Sequence, residues 1–523
     1  MRLKAKTALF FMGALLALPL GCAEQGAAET DGAPSGSVNI SQGGAQDFAE
    51  FRSIVEAGGV PSPEVLDPVG FFAEHALDMP PADCGKDICV HPFLAVAPKF
   101  NGDNWTMAYV TMNTPVDPNE LPHAPMHLVI AVEAGMFDGT VYSPVTSAVT
   151  SMLANLGPDD RVSVVSYGDH PTSLVQDVAP TDPDLPAQVE SALEQIGVGT
   201  TDLYGGIAKA DEALTLADEA GFVGQHRVLL LTGGHATAGI TDPAHILSLA
   251  EDIVRKGTAF SVIGAGELFD AALPSALGSM GAGTYAYAQS MTDLATLLVD
   301  EGETALYPLA TDLTVKITPA EGYSVGRIYG VHRATATKEG VNLSLPAVFI
   351  GQRKGSADVG GSRRGGGGAL FVELHGDAQS GVGANAPAFQ VTADWTAVNG
   401  IDKQNLVAPM NNTLPPGQNP PDMWWTISDD GDGKAFMMLN MYLALRATVD
   451  FYQAGDCARS LGVVDMMQQS VGGWLGKYQD TDITDDNNVL LALRKNVENA
   501  CAKQTSAVTP VEPTSFDGGC CLF

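Results

Sequence analysis

The sequence predicts an α/β protein in which a doubly wound, mostly parallel sheet is inserted into a β-sandwich-like domain and followed by a C-terminal helical unit. Two observations lead to this prediction. From His127 onward, short apolar runs alternate with helical segments, which is the pattern of a parallel sheet covered on both faces. Strand patterning lies on both sides of this stretch, and three apolar-periodic helical segments follow near the end of the chain.

Length and charge limit the classes of protein that need to be considered. The chain has 523 residues, which is more than one hydrophobic core can serve, so two or three domains are expected. Its formal net charge is −34, and a surface so acidic repels a phosphate backbone. Nucleic acid is therefore not expected as a partner.

The N-terminus has the pattern of an export signal. Arg2, Lys4 and Lys6 precede an apolar segment, residues 8–20, that is too short to span a bilayer. Its end, Leu-Pro-Leu-Gly-Cys at residues 18–22, resembles the lipobox of bacterial lipoproteins, although proline stands where that family has leucine. The resemblance implies lipidation of Cys22.

The alternative is an ordinary cleaved signal with an incidental cysteine. Residue 23 is alanine and not the aspartate that retains many lipoproteins at the inner membrane, so the resemblance points to the outer membrane. No later stretch is long and apolar enough for a membrane helix, and contact with the membrane is expected through the N-terminal lipid only.

Six further cysteines suit an exported protein with disulfides. Cys84 and Cys89 are close enough in sequence to close a small loop, while Cys457 and Cys501 lie in two predicted helices that a bond could join. Residues 520 and 521 are adjacent cysteines. Bonding Cys84 to Cys89 and Cys457 to Cys501 is the simplest of the fifteen connectivities that six cysteines allow. The alternative of a zinc site has no C-x-x-C or histidine cluster to support it.

The order of elements follows from local patterns. Residues 23–46 are rich in small residues and predict a flexible tether, and Phe48, Phe51 and Val55 at helical spacing begin the folded part. The other predicted helices are residues 61–76, 145–156, 185–196, 205–219, 244–256, 291–298, 436–452, 458–475 and 486–503. The predicted strands are residues 93–97, 106–112, 128–132, 162–166, 227–232, 259–264, 284–288, 313–317, 369–374 and 389–395.

Five stretches in the correct order resemble the von Willebrand factor type A (VWA) domain. They are the first strand at residues 127–132, LGPDDRVSVVSY at 156–167, GTTDLYGGI at 199–207, RVLLLT at 227–232, and the pair IGAG at 263–266 with GAGTYAY at 281–287. The resemblance implies a VWA or Rossmann-like sheet over residues 125–306. The flanks resemble exported bacterial VWA proteins that carry additional N-terminal and C-terminal regions.

The resulting domain plan has eight parts. They are a signal peptide with a lipobox-like end at 1–22, the tether at 23–46, an N-terminal VWA-associated region at 47–124, the VWA domain at 125–306, a β-rich region at 307–397, a linker at 398–433, a helical C-terminal region at 434–504 and a tail at 505–523.

VWA domains commonly bind Mg²⁺ or another divalent ion through D-x-S-x-S after the first strand, a threonine in the second loop and an aspartate after the fourth strand. On this sequence the first aspartate becomes Glu133, and the two serines become Gly135 and Phe137. The threonine is Thr201, and the last aspartate becomes Gly233. The resemblance therefore implies a degenerate site in which Glu133 and Thr201 are the remaining ligand types.

Glutamate is longer than aspartate by one methylene, which displaces its oxygens from the geometry that Mg²⁺ requires. Bound Mg²⁺ or Ca²⁺ is therefore not expected. Catalytic motifs such as G-x-S-x-G, H-E-x-x-H or a phosphate-binding loop are absent from the sequence, so we expect no enzyme activity. The expected function is binding of an unidentified protein partner in the cell envelope.

Two alternatives remain open from the sequence. The first is a metal-dependent adhesin with rearranged ligands, and the second is an enzyme whose site the sequence does not reveal.

Overall fold

A parallel sheet, an antiparallel β-sandwich and a layer of helices make up the part of the chain described here. The computed structural model describes residues 38–77, 79–101, 104–117, 121, 124–134, 143–193, 199–266, 269–304, 308–332, 334–351, 368–376, 386–397, 401–411 and 432–503.

The strands and helices are numbered in chain order. The strands are β1 Val38–Ser41, β2 Gly44–Ala45, β3 Cys89–Pro98, β4 Asn104–Thr114, β5 Met126–Glu133, β6 Arg161–Tyr167, β7 Thr172–Val178, β8 Gln225–Thr232, β9 Ala259–Ala265, β10 Thr284–Ala288, β11 Ala310–Pro319, β12 Tyr323–Tyr329, β13 Ala334–Thr337, β14 Gly340–Ile350, β15 Leu370–Gly376, β16 Pro387–Ala397 and β17 Lys403–Asn411. The helices are α1 Ala49–Glu56, α2 Pro68–Ala73, α3 Ser143–Ala154, α4 Leu185–Leu193, α5 Leu203–Glu219, α6 Pro243–Arg255, α7 Ala272–Gly278, α8 Met291–Thr304, α9 Asp432–Gln453, α10 Cys457–Leu475 and α11 Thr481–Lys503, with a 3₁₀ turn at Pro63–Val65.

The central domain is built on a seven-stranded sheet with the order β2-β10-β9-β8-β5-β6-β7. All neighbouring strands are parallel except β6 and β7, which are antiparallel. β5 lies between β8 and β6, and its residues are buried up to Val132, as an inner strand covered on both faces requires. The predicted doubly wound, mostly parallel sheet is confirmed.

Alternate residues of this sheet face two separate cores. Ile130 and Val132 pack with α3, α4 and α8 on one face, while Val129 and Ala131 pack with α5, α6 and α7 on the other. Because consecutive strand residues point to opposite faces, a continuous apolar run can serve both cores at once. Glu133 and Thr232, the last residues of β5 and β8, lie at the carboxyl edge of the sheet, which forms the rim on which the site lies.

Ten antiparallel strands form the second part, with the order β12-β15-β4-β1-β14-β11-β16-β17, β13 beside β14 and β3 beside β4. The β3–β4 side and the β11–β16 side share one core that includes Val110, Val315 and Trp395. The chain enters the central domain after β4 and leaves it before β11, so the predicted insertion into a sandwich-like β domain is confirmed.

The third part is a helical layer to which both ends of the chain contribute. α1 and α2 pack with α9, α10 and α11 and with Tyr109 and Phe371 on the outer face of the sandwich. Two buried polar contacts support this layer: Arg52 pairs with Glu74 at 2.6 Å, and His75 Nε2 lies 2.7 Å from Asp486 Oδ2. The last contact joins the segment just after α2 to α11.

Three local predictions are wrong. The predicted tether at 23–46 contains β1 and β2, which are stabilised by pairing with strands far away in the sequence. The predicted linker at 398–433 contains β17, which pairs with the preceding strand β16. The helix predicted at 61–76 is a 3₁₀ turn followed by α2. Pro63 and Pro68 each stand at the first position of their element, where proline is tolerated, and the residue before a proline is disfavoured in the helical region.

Candidate functional site

The candidate site lies where β5, β8 and the loop before α5 meet at the carboxyl edge of the parallel sheet. Glu133 is the last residue of β5 and Thr232 is the last residue of β8, and these strands are direct neighbours. Thr201 precedes α5, whose first turn is capped by the Asp202 carboxylate accepting from Gly205 N at 2.8 Å. The fold therefore brings the two sequence-predicted site residues, Glu133 and Thr201, together.

The Glu133 carboxylate accepts three hydrogen bonds. Its Oε1 accepts from Thr201 Oγ1 at 2.9 Å, and its Oε2 accepts from Thr232 Oγ1 at 3.0 Å and from Gly233 N at 2.7 Å. Hydrogen bonds to a charged carboxylate are stronger than those between neutral groups. Glu133 thus joins the ends of two strands to the loop that begins α5.

Further bonds hold the surrounding loops. Thr201 N donates to Thr237 Oγ1 at 2.8 Å, and Thr201 O accepts from the backbone N–H groups of Thr237 and Ala238 at 2.9 and 3.0 Å. Gly234 N donates to Thr232 Oγ1 at 3.0 Å. Gly234 has φ of +88°, and a Cβ there would lie 2.3 Å from Asp270 O, so this turn requires glycine.

A buried tyrosine lies beneath the site. Tyr167 is fully buried at the end of β6, and its hydroxyl donates to Leu231 O at 2.8 Å. Burial raises the pKa of Tyr167 well above its ordinary value, and the nearby Glu133 charge adds to this effect. The phenol therefore stays protonated and remains a hydrogen-bond donor that links β6 to the β8 backbone across β5.

The residues present do not fit a divalent ion of the usual VWA kind. Gly233 has no side chain, and a Cβ added there would lie 3.4 Å from Glu133 Oε1, so the expected aspartate oxygens have no counterpart. The positions of the two expected serines, 135 and 137, lie outside the described residues. Within the described ranges, no group of three or more His, Cys, Asp or Glu residues is placed to bind a metal. The Glu133 oxygens instead accept from hydroxyl and amide donors.

Thr232 is the site residue that the sequence analysis missed. Its hydroxyl joins Glu133 to Gly234 and so connects two loops. A signal was available, because a polar residue closes the apolar run of β8 just as Glu133 closes that of β5.

The two predicted disulfides are present. Cys84 bonds to Cys89, the first residue of β3, and Cys457 of α10 bonds to Cys501 of α11. Disulfides persist in oxidising compartments, which indicates an extracytoplasmic location. Cys22 lies outside the described residues. Among the helices that the structure describes, none is both long and apolar enough to cross a membrane.

The five VWA-like stretches fall on the expected elements: the strand matches are β5, β6, β8, β9 and β10, and the GTTDLYGGI stretch contains Thr201 and the start of α5. Together with the strand order, this placement defines a protein that contains a VWA fold. The assignment rests on these features of the chain itself.

Comparisons with known proteins give remote similarities. No known family model matches the chain. It is 23% identical over 202 residues to the uncharacterized protein YfbK of Escherichia coli strain K12, a match that covers 38% of this chain and 34% of that protein. The chain thus spans about a third of the length of this curated relative.

Two solved structures are similar over most of their length. One is a von Willebrand factor type A protein from Catenulispora acidiphila, with 14% identity, a TM-score of 0.46, and coverage of 79% of this chain and 96% of that one. The other is the ArnB paralog VWA2 from Sulfolobus acidocaldarius, with 14% identity, a TM-score of 0.44, and coverage of 79% and 98%.

Proposed function

We propose that this chain is a non-enzymatic lipoprotein of the cell envelope whose VWA-fold domain binds a protein partner at the rim around Glu133. The supporting observation is that three donors already engage the Glu133 carboxylate. The site that VWA domains commonly use for an ion is thereby converted into a fixed internal contact. The loops that this contact holds in place then bind the protein partner.

The loop between β8 and α6 offers a suitable contact surface. Its backbone is tied to Thr201, and Ile240 within it has 41% of its surface exposed. A loop held in one conformation loses less entropy on binding, and an apolar side chain amid polar neighbours is a typical interface anchor. The proposed partner is therefore a protein with an apolar pocket and a polar surround.

Lipid on Cys22 would anchor the protein to the membrane. Lipidation of Cys22 would tether the protein to the outer membrane and leave its folded part outside the bilayer, in keeping with the extracytoplasmic disulfides.

The rim is tested by comparing two matched surface variants. Cell-envelope extract is passed over immobilised protein carrying Ile240→Asp or Val223→Asp. Val223 is 85% exposed and lies just before β8, at the opposite edge of the sheet. We expect Ile240→Asp to lose at least about 1 kcal/mol of affinity for a captured protein, while Val223→Asp binds like the wild type.

Equal capture by both variants would contradict the proposed rim. An EDTA wash provides the second comparison. Capture that persists in EDTA supports binding without metal, whereas release in EDTA would support the metal-dependent adhesin in its place.

A further inference from the structure

The N-terminal strap, residues 38–50, connects the sandwich to the edge of the parallel sheet. In the sandwich, β1 pairs with both β4 and β14. A few residues later β2 pairs with β10, where Gly44 N donates to Gly283 O at 2.9 Å and Gln46 N donates to Tyr285 O at 2.9 Å. The strap therefore covers the edge of β10 that would otherwise be open.

Glycines let the strap lie close against the sheet. Gly43 has φ of +74°, and a Cβ there would lie 2.6 Å from Gly283 O. A Cβ at Gly283 would lie 1.8 Å from Phe260 O on the adjacent strand. Because the two backbones approach so closely, the docked position of the strap is specific.

A small acidic cavity lies directly after this contact. The strap contributes Asp47 and Glu50, and the segment around the 3₁₀ turn contributes Glu64 and Asp67. The opposite wall belongs to the central domain and includes Tyr285 and Tyr287 of β10. Ala271, just before α7, and Ser275, within α7, complete this wall. Neither lysine nor arginine is among the described residues that line it.

The charged groups around Glu50 come from every neighbouring element. Asp47 precedes it on the strap, and Asp270 approaches from the start of α7. Asp67 caps α2 and pairs with His332 at 2.8 Å, and Glu64 is exposed. Glu50 itself is half-buried, and the Tyr285 hydroxyl approaches its Oε2 at 3.5 Å.

This setting changes the acidity of Glu50. Burial, followed by the negative charge of Asp270, raises the pKa of Glu50 to about 8. The pKa of Tyr285 is raised well above its ordinary value, again by burial first and then by Glu50. At neutral pH the contact between strap and domain therefore holds a protonated carboxyl group and neutral phenols.

We propose that the strap is a proton-operated latch, docked on β10 while Glu50 carries a proton and loosened when Glu50 becomes charged. Glu50 and Asp47 lie on the strap, whereas Asp270 and Tyr285 lie on the central domain, so a charge on Glu50 favours separation of the two. Release exposes the backbone N–H and C=O groups along the edge of β10, a surface to which another strand can add.

The direction of the pH effect follows from proton linkage. The docked state has the higher Glu50 pKa and so binds more protons than the released state, which means that docking weakens as pH rises from about 4.5 to about 8. Within this window, the equilibrium constant for opening rises by at most about tenfold for each pH unit.

Hydrogen exchange tests the latch on the full-length protein. Opening constants for backbone amides of residues 38–56, corrected for intrinsic exchange, are compared at about pH 6 and about pH 9. We expect a rise of up to about 100-fold in the wild type and none beyond the experimental scatter in Glu50→Gln. Amides of α9–α11 serve as the internal reference and should show no such rise.

Two further variants make the test specific. Glu64→Gln changes an exposed carboxylate on the same cavity and should keep the wild-type pH dependence. Asp270→Asn removes the neighbouring charge and should reduce that dependence without abolishing it. A flat wild-type profile, or an unchanged rise in Glu50→Gln, would overturn the latch; neither result would bear on partner binding at the rim.

Discussion

At the scale of single residues, Glu133 shows how one added methylene changes the contacts at the carboxyl edge of the sheet. Its longer side chain brings both carboxylate oxygens to donors on β8 and on the loop before α5. The carboxylate thus connects the ends of β5 and β8 to the loop before α5. Each of these contacts crosses between elements, so the residue organises the rim as a whole.

Replacing Glu133 tests this role. Glu133→Ala leaves the amide of Gly233 without its partner, and we expect a loss of about 1–3 kcal/mol in the free energy of unfolding. Glu133→Gln should cost less, because its amide oxygen can still accept from Gly233 N. Urea denaturation provides the measurement.

A rim residue outside this network provides the control. Asp169 makes exposed contacts with Thr200 and His170, so Asp169→Ala should change stability by no more than about 0.5 kcal/mol. An unchanged urea midpoint in Glu133→Ala would show that the hydrogen bonds contribute nothing net.

At the scale of secondary-structure elements, the helical layer depends on contacts between the two ends of the chain. The segment just after α2 contacts α11 through His75 and Asp486, whose side chains are both fully buried. His75 Nδ1 also lies 2.9 Å from Phe71 O, so both ring nitrogens have partners. This contact fixes how the N-terminal helices sit on the C-terminal ones.

Removing the carboxylate of Asp486 should therefore lower the stability of the protein. We expect Asp486→Ala to lower the free energy of unfolding by about 1–3 kcal/mol, because it leaves a buried imidazole nitrogen without its partner. Asp465→Ala, which removes the exposed partner of Arg494 between α10 and α11, should cost less than about 1 kcal/mol. Equal losses measured by urea denaturation would argue against a special role for the buried pair.

The strands that are continuous apolar runs could be predicted from the sequence. β5, β6, β8 and β9 are apolar runs bounded by turns, so their type and order are evident from the sequence. β1 and β2 could not be found this way, since they are only four and two residues long and pair with strands far away in the sequence, β1 with β4 and β14 and β2 with β10.

Part of the candidate site could also be predicted from the sequence. Glu133 and Thr201 follow from motif positions. The role of Thr232 depends on the lateral order of β5 and β8, which places two strand ends side by side although they are about a hundred residues apart.

At the scale of the whole molecule, pH acts on stability through buried groups as well as through the net charge of −34. His127 is the buried second residue of β5, with its Nε2 2.8 Å from Ser163 Oγ and its ring beside those of Phe222 and His226. Burial, with a further contribution from His226, lowers the pKa of His127 to about 4. The folded protein therefore holds this imidazole neutral.

Acid should consequently weaken the fold. Between pH 6.5 and about 4 the unfolded chain binds a proton at His127 that the folded chain does not, so stability falls as pH falls through this window, by up to about 3 kcal/mol. Urea midpoints measured across this range should fall less steeply in His127→Gln. Exposed His170→Gln is the control and should follow the wild type; identical slopes in all three proteins would refute the assignment.

The insertion of the central domain between β4 and β11 also sets an order for biogenesis. Apart from β2, which precedes it, the parallel sheet comes from one contiguous stretch and can close as soon as that stretch is available. The sandwich must wait, because Ile40 of β1 pairs with Ile350 of β14, and α1 and α2 gain their packing only when α9–α11 arrive. Pairings so distant in sequence form slowly. Until their partners are available, the unpaired strands on the N-terminal side are therefore the part of the chain most in need of protection from aggregation.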